Sequence, residues 1–195
     1  MAKQWVCILI AVTMLLVSGC GSDNSPTTKE ALKLPSPDKI LIAYYSQTGR
    51  NAAIAREIQS QIGGDLFQIK TDIQYPKNVP GTLTQVKREY VQQIRPNLLE
   101  QVKDFEKYEL IVLGYPNWYD DPPMGVLRFL EDHQWKGKTI APYISYGLSG
   151  YGTSIGSIKK AAPDAVVVRG MALHASKAKN CGSEVKTWIA SLTGK

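Results

Sequence analysis

Residues 40–52 read ILIAYYSQTGRNA. The apolar run suits a strand buried on both faces, spanning Lys39 to Tyr45, and it stops abruptly at Ser46-Gln47-Thr48-Gly49-Arg50-Asn51. From Asn51 onward, apolar side chains recur at Ala52, Ile54 or Ala55, Ile58 and Ile62, the spacing of a helical stripe that Gly63-Gly64 brings to a stop. A strand, a tight turn and a helix in this order leave unpaired backbone N–H groups at the helix start, beside the hydroxyls of Ser46 and Thr48. The helix N-terminus adds a field that favours negative charge, so the turn is a candidate phosphate cradle. It lacks the Lys and Ser/Thr of a P-loop and the spacing of a dinucleotide GxGxxG, which excludes ATP and NAD as natural occupants. The same Ser46, Thr48 and Asn51 would also serve a plain capped turn in which they only satisfy the backbone.

Downstream, strand-like and helix-like patterns alternate. Asp65–Lys70 is a second, alternating strand suited to a sheet edge, and Tyr75-Pro76 and Val79-Pro80-Gly81 mark a long irregular connection. A polar helical region follows from Leu83 to about Lys103, interrupted at Pro96. Tyr108–Gly114 is the third strand, Met124–Asp132 a helix, Lys138–Ser145 the fourth strand, Thr153–Ala162 a helix, Ala165–Leu173 the fifth strand and Gly182–Leu192 the last helix. Five apolar strands separated by helices imply an α/β fold, a parallel sheet covered on both faces in a three-layer sandwich. In such sheets ligands bind beyond the carboxyl ends of the strands, so the loops after strands one, three and four are expected to converge.

The loop after strand three, 114–123, carries Tyr115, Trp118 and Tyr119, with Asp121 a candidate N-cap and Pro122 a candidate first helical residue. Capping explains the Asp, whereas Trp118 and Tyr119 would lie exposed unless neighbouring loops or something flat covers them. The loop after strand four, 145–152, holds Gly147, Gly150 and Gly152, which permit close approach of backbone to a ligand. No Ser/His/Asp set, metal-spaced cluster or paired catalytic carboxylate stands out; His133 and His174 follow element ends and suit surface or capping positions.

The chain has 195 residues and a formal net charge of +6. Its first residues, MAKQWVCILIAVTMLLVSGC, place one early Lys before an apolar run from Trp5 to Val17, the pattern of a signal peptide, too short for a comfortable membrane span. Leu16-Val17-Ser18-Gly19-Cys20 resembles the lipobox of bacterial lipoproteins, in which the Cys becomes the lipid-bearing first residue. The expected organisation is a lipoprotein signal at 1–19, a flexible tether at 20–37 poor in large apolar residues, and one domain at 38–195. The expected location is the cell envelope, extracytoplasmic and tied to a membrane by lipid on Cys20. That leaves Cys181 as the one free thiol, without a disulfide partner, and reads it as a packing residue. Loss of Lys3 with the signal leaves a charge of about +5, scattered rather than clustered, which argues against nucleic acid and fits acidic partners or anionic headgroups.

A phosphate loop after strand one, an aromatic loop after strand three and a Gly-rich loop after strand four resemble the flavodoxin family, which binds FMN. The likeness runs from about Lys39 to Leu192 and is nearest to the branch with a YYSxTG loop and a GYPxW loop followed by PMxVxxFLE, matched here by Pro123-Met124-Gly125-Val126-Leu127-Arg128-Phe129-Leu130-Glu131. The resemblance implies five parallel strands in the order 2-1-3-4-5. It places Ser46, Thr48, Gly49, Arg50, Asn51 and Ala52 around the FMN phosphate, and Pro116, Asn117, Trp118 and Tyr119 along the isoalloxazine, with Trp118 the stacking residue. Ser145, Tyr146, Gly147, Gly150, Tyr151 and Gly152 would line its other edge. Where the family usually has Asn-Thr after the Thr-Gly, this chain has Arg50-Asn51, adding a positive charge that a phosphate accepts. The implied function is an electron carrier or oxidoreductase acting with a redox partner protein or a small acceptor. An FMN-dependent NAD(P)H:quinone-type reductase and a flavin-free interaction lipoprotein are the alternatives.

Overall fold

The computed structural model describes residues 31–195 apart from residue 77, so the signal segment and Cys20 lie outside the described residues. Six strands form one parallel sheet: β1 (Ile40–Tyr44), β2 (Asp65–Gln68), β3 (Leu110–Pro116), β4 (Thr139–Tyr146), β5 (Val166–Val167) and β6 (Met171–His174). The order is β2-β1-β3-β4-β5, with β6 also paired to β4 beyond the end of β5. The helices are α1 (Arg50–Ile62), α2 (Val79–Gln92), α3 (Met124–Glu131), α4 (Ser154–Ala161) and α5 (Gly182–Thr193).

Strand alternation divides the core into two faces. Leu41, Ala43 and Tyr45 of the first strand segment join Ile111, Leu113 and Tyr115 of β3 in packing against α3 and α4, through Met124, Val126, Phe129, Leu130 and Ile158. The intervening Ile40, Ile42 and Tyr44 join Leu110, Val112 and Tyr143 in packing against α1 and α5, through Ile54, Ala55, Ile58, Val185 and Trp188. Both faces are covered, which gives the three layers. Cys181 is buried in the second cluster, its Sγ directed at the Ala178 carbonyl at 3.5 Å, and burial raises its thiol pKa, so it packs rather than reacts.

Three elements depart from the sequence reading. The fifth strand, expected unbroken from Ala165 to Leu173, is two pieces, β5 and β6. The cause is Pro142 of β4. Carbonyls of even-numbered residues there face strand five, as Val166 N–H donating to Lys138 O (3.0 Å) and Val168 N–H donating to Ile140 O (3.0 Å) show. Pro142 has the same phase and no N–H to give, so pairing lapses beside it. The freed Arg169 carbonyl accepts instead from the Trp188 indole at 3.1 Å.

The helix expected to start at Leu83 starts at Val79, because Asn78 caps it through Oδ1 to the Gly81 N–H (2.8 Å) and Pro80 is tolerated in a first turn. It ends at Gln92, capped by Gln93 at φ +52°, and Thr71 bridges to Leu98 where the helix was expected to resume. Part of the expected tether is also packed: Leu32 N–H donates to Leu192 O at 2.8 Å, and Leu32 and Leu34 lie against the α1–α5 core.

Candidate functional site

The parallel register aligns the carboxyl ends of the strands. Tyr44 lies opposite Gly114, Pro116 opposite Ser145, and Tyr146 opposite His174. The turns after β1, β3 and β4 therefore leave one edge of the sheet together and surround a cleft of about 480 Å³. Ligand pockets commonly span about 300–1,000 Å³.

The turn after β1 forms one end. Gly49 is the N-cap of α1 at φ +80°, a left-handed conformation that glycine adopts without penalty. This brings the first N–H groups of α1 toward Ser46, whose Oγ accepts from the Ala52 N–H at 3.3 Å. Arg50 is exposed, and its guanidinium donates to Thr48 Oγ1 at 3.3 Å, so a cation and a hydroxyl stand side by side at the helix mouth. Asn51 is buried beneath: its carbonyl accepts from the Tyr143 hydroxyl at 2.9 Å, and its side-chain Oδ1 has no partner.

The turn after β3 forms the aromatic wall. Trp118 and Asp121 exchange two backbone hydrogen bonds, Trp118 N–H to Asp121 O (3.2 Å) and Asp121 N–H to Trp118 O (3.1 Å). The two residues between them, Tyr119 and Asp120, have φ of +51° and +64°, the geometry of a two-residue hairpin turn. Non-glycine residues hold such angles when their surroundings over-determine them. Here the Asp120 carbonyl accepts from Thr153 N–H (2.7 Å) and Thr153 Oγ1 (3.1 Å), and its carboxylate accepts from the Ser149 hydroxyl.

Asn117 adds a second tie between the loops, its amide donating to the carbonyls of Ser149 (3.1 Å) and Gly150, with Oδ1 buried and unpartnered. Trp118 packs its inner face on Tyr75 (ring centroids 4.9 Å) and Tyr45 (5.7 Å) and contributes to the cleft lining. Tyr119 stands half exposed at the rim.

The loop after β4 closes the other side. His174 Nδ1 accepts from the Ser176 N–H, which leaves the ring proton on Nε2, directed at the Gly147 carbonyl at 3.2 Å. His174 is thus a cap that also anchors this loop.

Of the residues expected at the site, Ser46, Thr48, Arg50, Asn51, Pro116, Asn117, Trp118, Tyr119, Ser145, Tyr146 and Gly147 line the cleft. Gly49, Ala52, Gly150, Tyr151 and Gly152 do not. The first two shape the turn from behind. Gly150 meets Asn117 through its carbonyl, Gly152 lies against Asp120, and Tyr151 turns inward to the core with its hydroxyl buried and unpartnered. Asp121 is not an N-cap: Pro123 holds that position, and the Asp121 carboxyl is pushed above the usual carboxylate range by burial.

Sequence reasoning missed Gln47, the α2 residues Val79, Thr82 and Leu83, and Asp120, Leu148, Ser149 and Ala175. Gln47 ties the β1 turn to α2, donating to Pro76 O (3.1 Å) and Thr82 Oγ1 (3.3 Å). Leu148 carried a signal, a lone large apolar residue among glycines; Val79 and Thr82 carried none once their segment was read as irregular, and Leu83 was read only as the start of a helix.

A family model described as flavodoxin matches residues 39–192. Among solved structures, a protein of Bacteroides eggerthii described as a flavoprotein is 28% identical, with a TM-score of 0.70 over 80% of this chain and 99% of its own. A Bacteroides uniformis protein described in the same way is 24% identical, with a TM-score of 0.69 over 78% of this chain and 97% of its own. A Lactobacillus acidophilus flavoprotein solved in complex with FMN is 20% identical, with a TM-score of 0.62 over 77% of this chain and 98% of its own. The last two are likenesses of fold. The chain has no match among curated proteins.

Proposed function

The chain belongs to the flavodoxin family, and from that premise we propose that it binds FMN in the cleft and transfers electrons through it, anchored by lipid on Cys20 outside the cytoplasm. The observation that carries this reading is the meeting, in one cleft, of an anion cradle at the start of α1 with the aromatic wall of Trp118 and Tyr119. The residues present fit the group. The α1 N–H groups, the Ser46 and Thr48 hydroxyls and the Arg50 guanidinium suit a phosphate monoester. The orphaned Oδ1 atoms of Asn51 and Asn117 are acceptors, and a flavin's ring N–H and ribityl hydroxyls are donors. Trp118 offers a planar apolar face.

FMN supplies the redox chemistry when bound; the protein supplies orientation and electrostatics. Arg50 and the α1 dipole would hold the phosphate, Trp118 and Tyr119 would shield the ring from water, and the Asn117 and Asp120 ties keep the loops after β3 and β4 at a fixed separation. The purified full-length protein is expected to be yellow, or to become so on incubation with FMN. Colourless protein that takes up no FMN would leave only a flavin-free role.

A second reading, direct reduction of a small planar electrophile such as a quinone, draws support from the apolar mouth of the cleft, where Val79, Leu83, Tyr119 and Leu148 are all exposed. Turnover of a quinone with NAD(P)H as sole donor, without a partner protein, would favour it. The anchor is tested separately: Cys20→Ala should move the protein from the membrane fraction to the soluble fraction of expressing cells. Retention on the membrane would count against lipidation at that residue.

A further inference from the structure

One buried charge on the far side of the aromatic wall has no part in the reading above. Glu89 of α2 is 1% exposed, and its carboxylate accepts from two groups: the Tyr75 hydroxyl at Oε2 (2.5 Å) and the Gln85 side-chain amide at Oε1 (3.0 Å), one helical turn earlier. Removing a carboxylate from water costs several kcal/mol, and an apolar side chain of similar size would pack α2 without that cost. What the carboxylate supplies is the strongest acceptor available for a phenol hydroxyl.

Tyr75 needs such an anchor. It lies in the irregular segment between β2 and α2, where the backbone of the next residue is tied down through the Pro76 carbonyl by Thr82 (2.7 Å) and Gln47 (3.1 Å). Those bonds fix where the side chain starts; the hydroxyl bond to Glu89 fixes where the ring ends. The Tyr75 ring in turn packs against Trp118 at 4.9 Å with a 55° tilt, and Tyr45 meets both, Trp118 at 5.7 Å and Tyr75 at 6.5 Å, near edge-on. The hairpin turn 118–121 sets the Trp118 backbone but leaves its side-chain torsions to these two rings.

We propose that Glu89, acting through Tyr75, is a positioning residue that sets the plane of the Trp118 indole and so the orientation in which the cleft receives a flat ligand. The proposal rests on FMN as that ligand for one arm of its test and stands without it for the other. The chain of contacts runs from the Glu89 turn of α2, through a phenol, to the cleft wall. A site residue held this way keeps its rotamer without the ligand, which lowers the ordering cost of binding.

The test uses the full chain with Glu89→Gln, Glu89→Leu and Tyr75→Phe. The indole's own signature is isolated as the near-ultraviolet circular dichroism difference between wild type and Trp118→Phe, and FMN affinity is read by quenching of flavin fluorescence. Glu89→Gln retains an oxygen that accepts from the phenol and should keep both the signature and the affinity. Tyr75→Phe and Glu89→Leu should erase or reshape the signature and weaken FMN by about five- to tenfold, the scale of one misplaced aromatic pair.

An unaltered indole signature in folded Tyr75→Phe overturns the proposal, as does an altered signature with unchanged FMN affinity. Should Glu89→Leu not fold, Tyr75→Phe decides alone. Should the wild type take up no FMN, the functional reading above falls, while the signature arm still supports or overturns the positioning role.

Discussion

Gly49 and Arg50 stand next to each other at the mouth of α1 and do different work. A Cβ at Gly49 would meet nothing within 4 Å, so space does not require the glycine; φ of +80° does. Gly49→Ala is therefore expected to cost about 1–2 kcal/mol of stability through left-handed strain, read as a lower denaturant midpoint, and to weaken FMN because the cradle's N–H groups shift. Unchanged stability would mean the turn relaxes to another geometry. Arg50→Gln should leave the fold intact and weaken FMN while leaving riboflavin, which has no phosphate, unaffected; raising salt should then cost the variant less affinity than the wild type. Equal losses for FMN and riboflavin would remove Arg50 from the phosphate end. This part of the site was legible because the residue types encode it: Ser, Thr and Gly after an apolar run leave few alternatives. Asp121 was not legible, because Asp before Pro-Pro suits a helix cap and a turn equally, and only the pairing with Trp118 decides between them.

At the scale of elements, the site depends on how closely strand and helix approach. Gly114 lies two residues before the end of β3, where a Cβ would sit 1.9 Å from the Tyr143 ring, and that ring carries the hydroxyl that supports the first turn of α1 through the Asn51 carbonyl. Gly114→Ala should therefore destabilise by about 1–3 kcal/mol or more and disturb the cradle together with the sheet. Gly147→Ala, where a Cβ meets nothing within 4 Å, should leave thermal stability unchanged and serves as the control. Comparable melting temperatures for the two variants would show that Tyr143 can move aside.

Apolar runs separated by helical stripes made the parallel sheet and its covering on both faces readable from the chain alone. Two of the three elements that were misread share a cause, a proline whose effect depends on its neighbours. Pro80 is harmless in a first turn capped by Asn78, and Pro142 breaks pairing on one side of β4 only, since its missing N–H faces strand five.

Across the whole molecule, stability should report on one half-buried imidazole. His133 is half-buried against Phe105 (4.1 Å between ring centroids) and Phe129 (4.5 Å), and its Nδ1 meets the Phe129 carbonyl at 2.7 Å at the end of α3. Burial lowers its pKa below the ordinary 6.5, partly offset by that hydrogen bond. A histidine with a depressed folded-state pKa is bound by fewer protons folded than unfolded, so its contribution is fully present above pH 6.5 and is lost as pH falls from there through the folded-state value. Melting temperature should drop over that window in the wild type, and His133→Phe should flatten the drop. An identical slope in both would assign the pH dependence to other groups.

On the proposed function, three turns at one end of the parallel sheet together form a seat for FMN. Its most direct measurement is a titration of the full-length, flavin-free protein with FMN and, in parallel, riboflavin, followed by flavin fluorescence. Saturable quenching at one FMN per chain is expected, with riboflavin bound more weakly because it leaves the α1 cradle without a phosphate. Flavin fluorescence that stays unquenched at every protein concentration, or riboflavin bound as tightly as FMN, would contradict it.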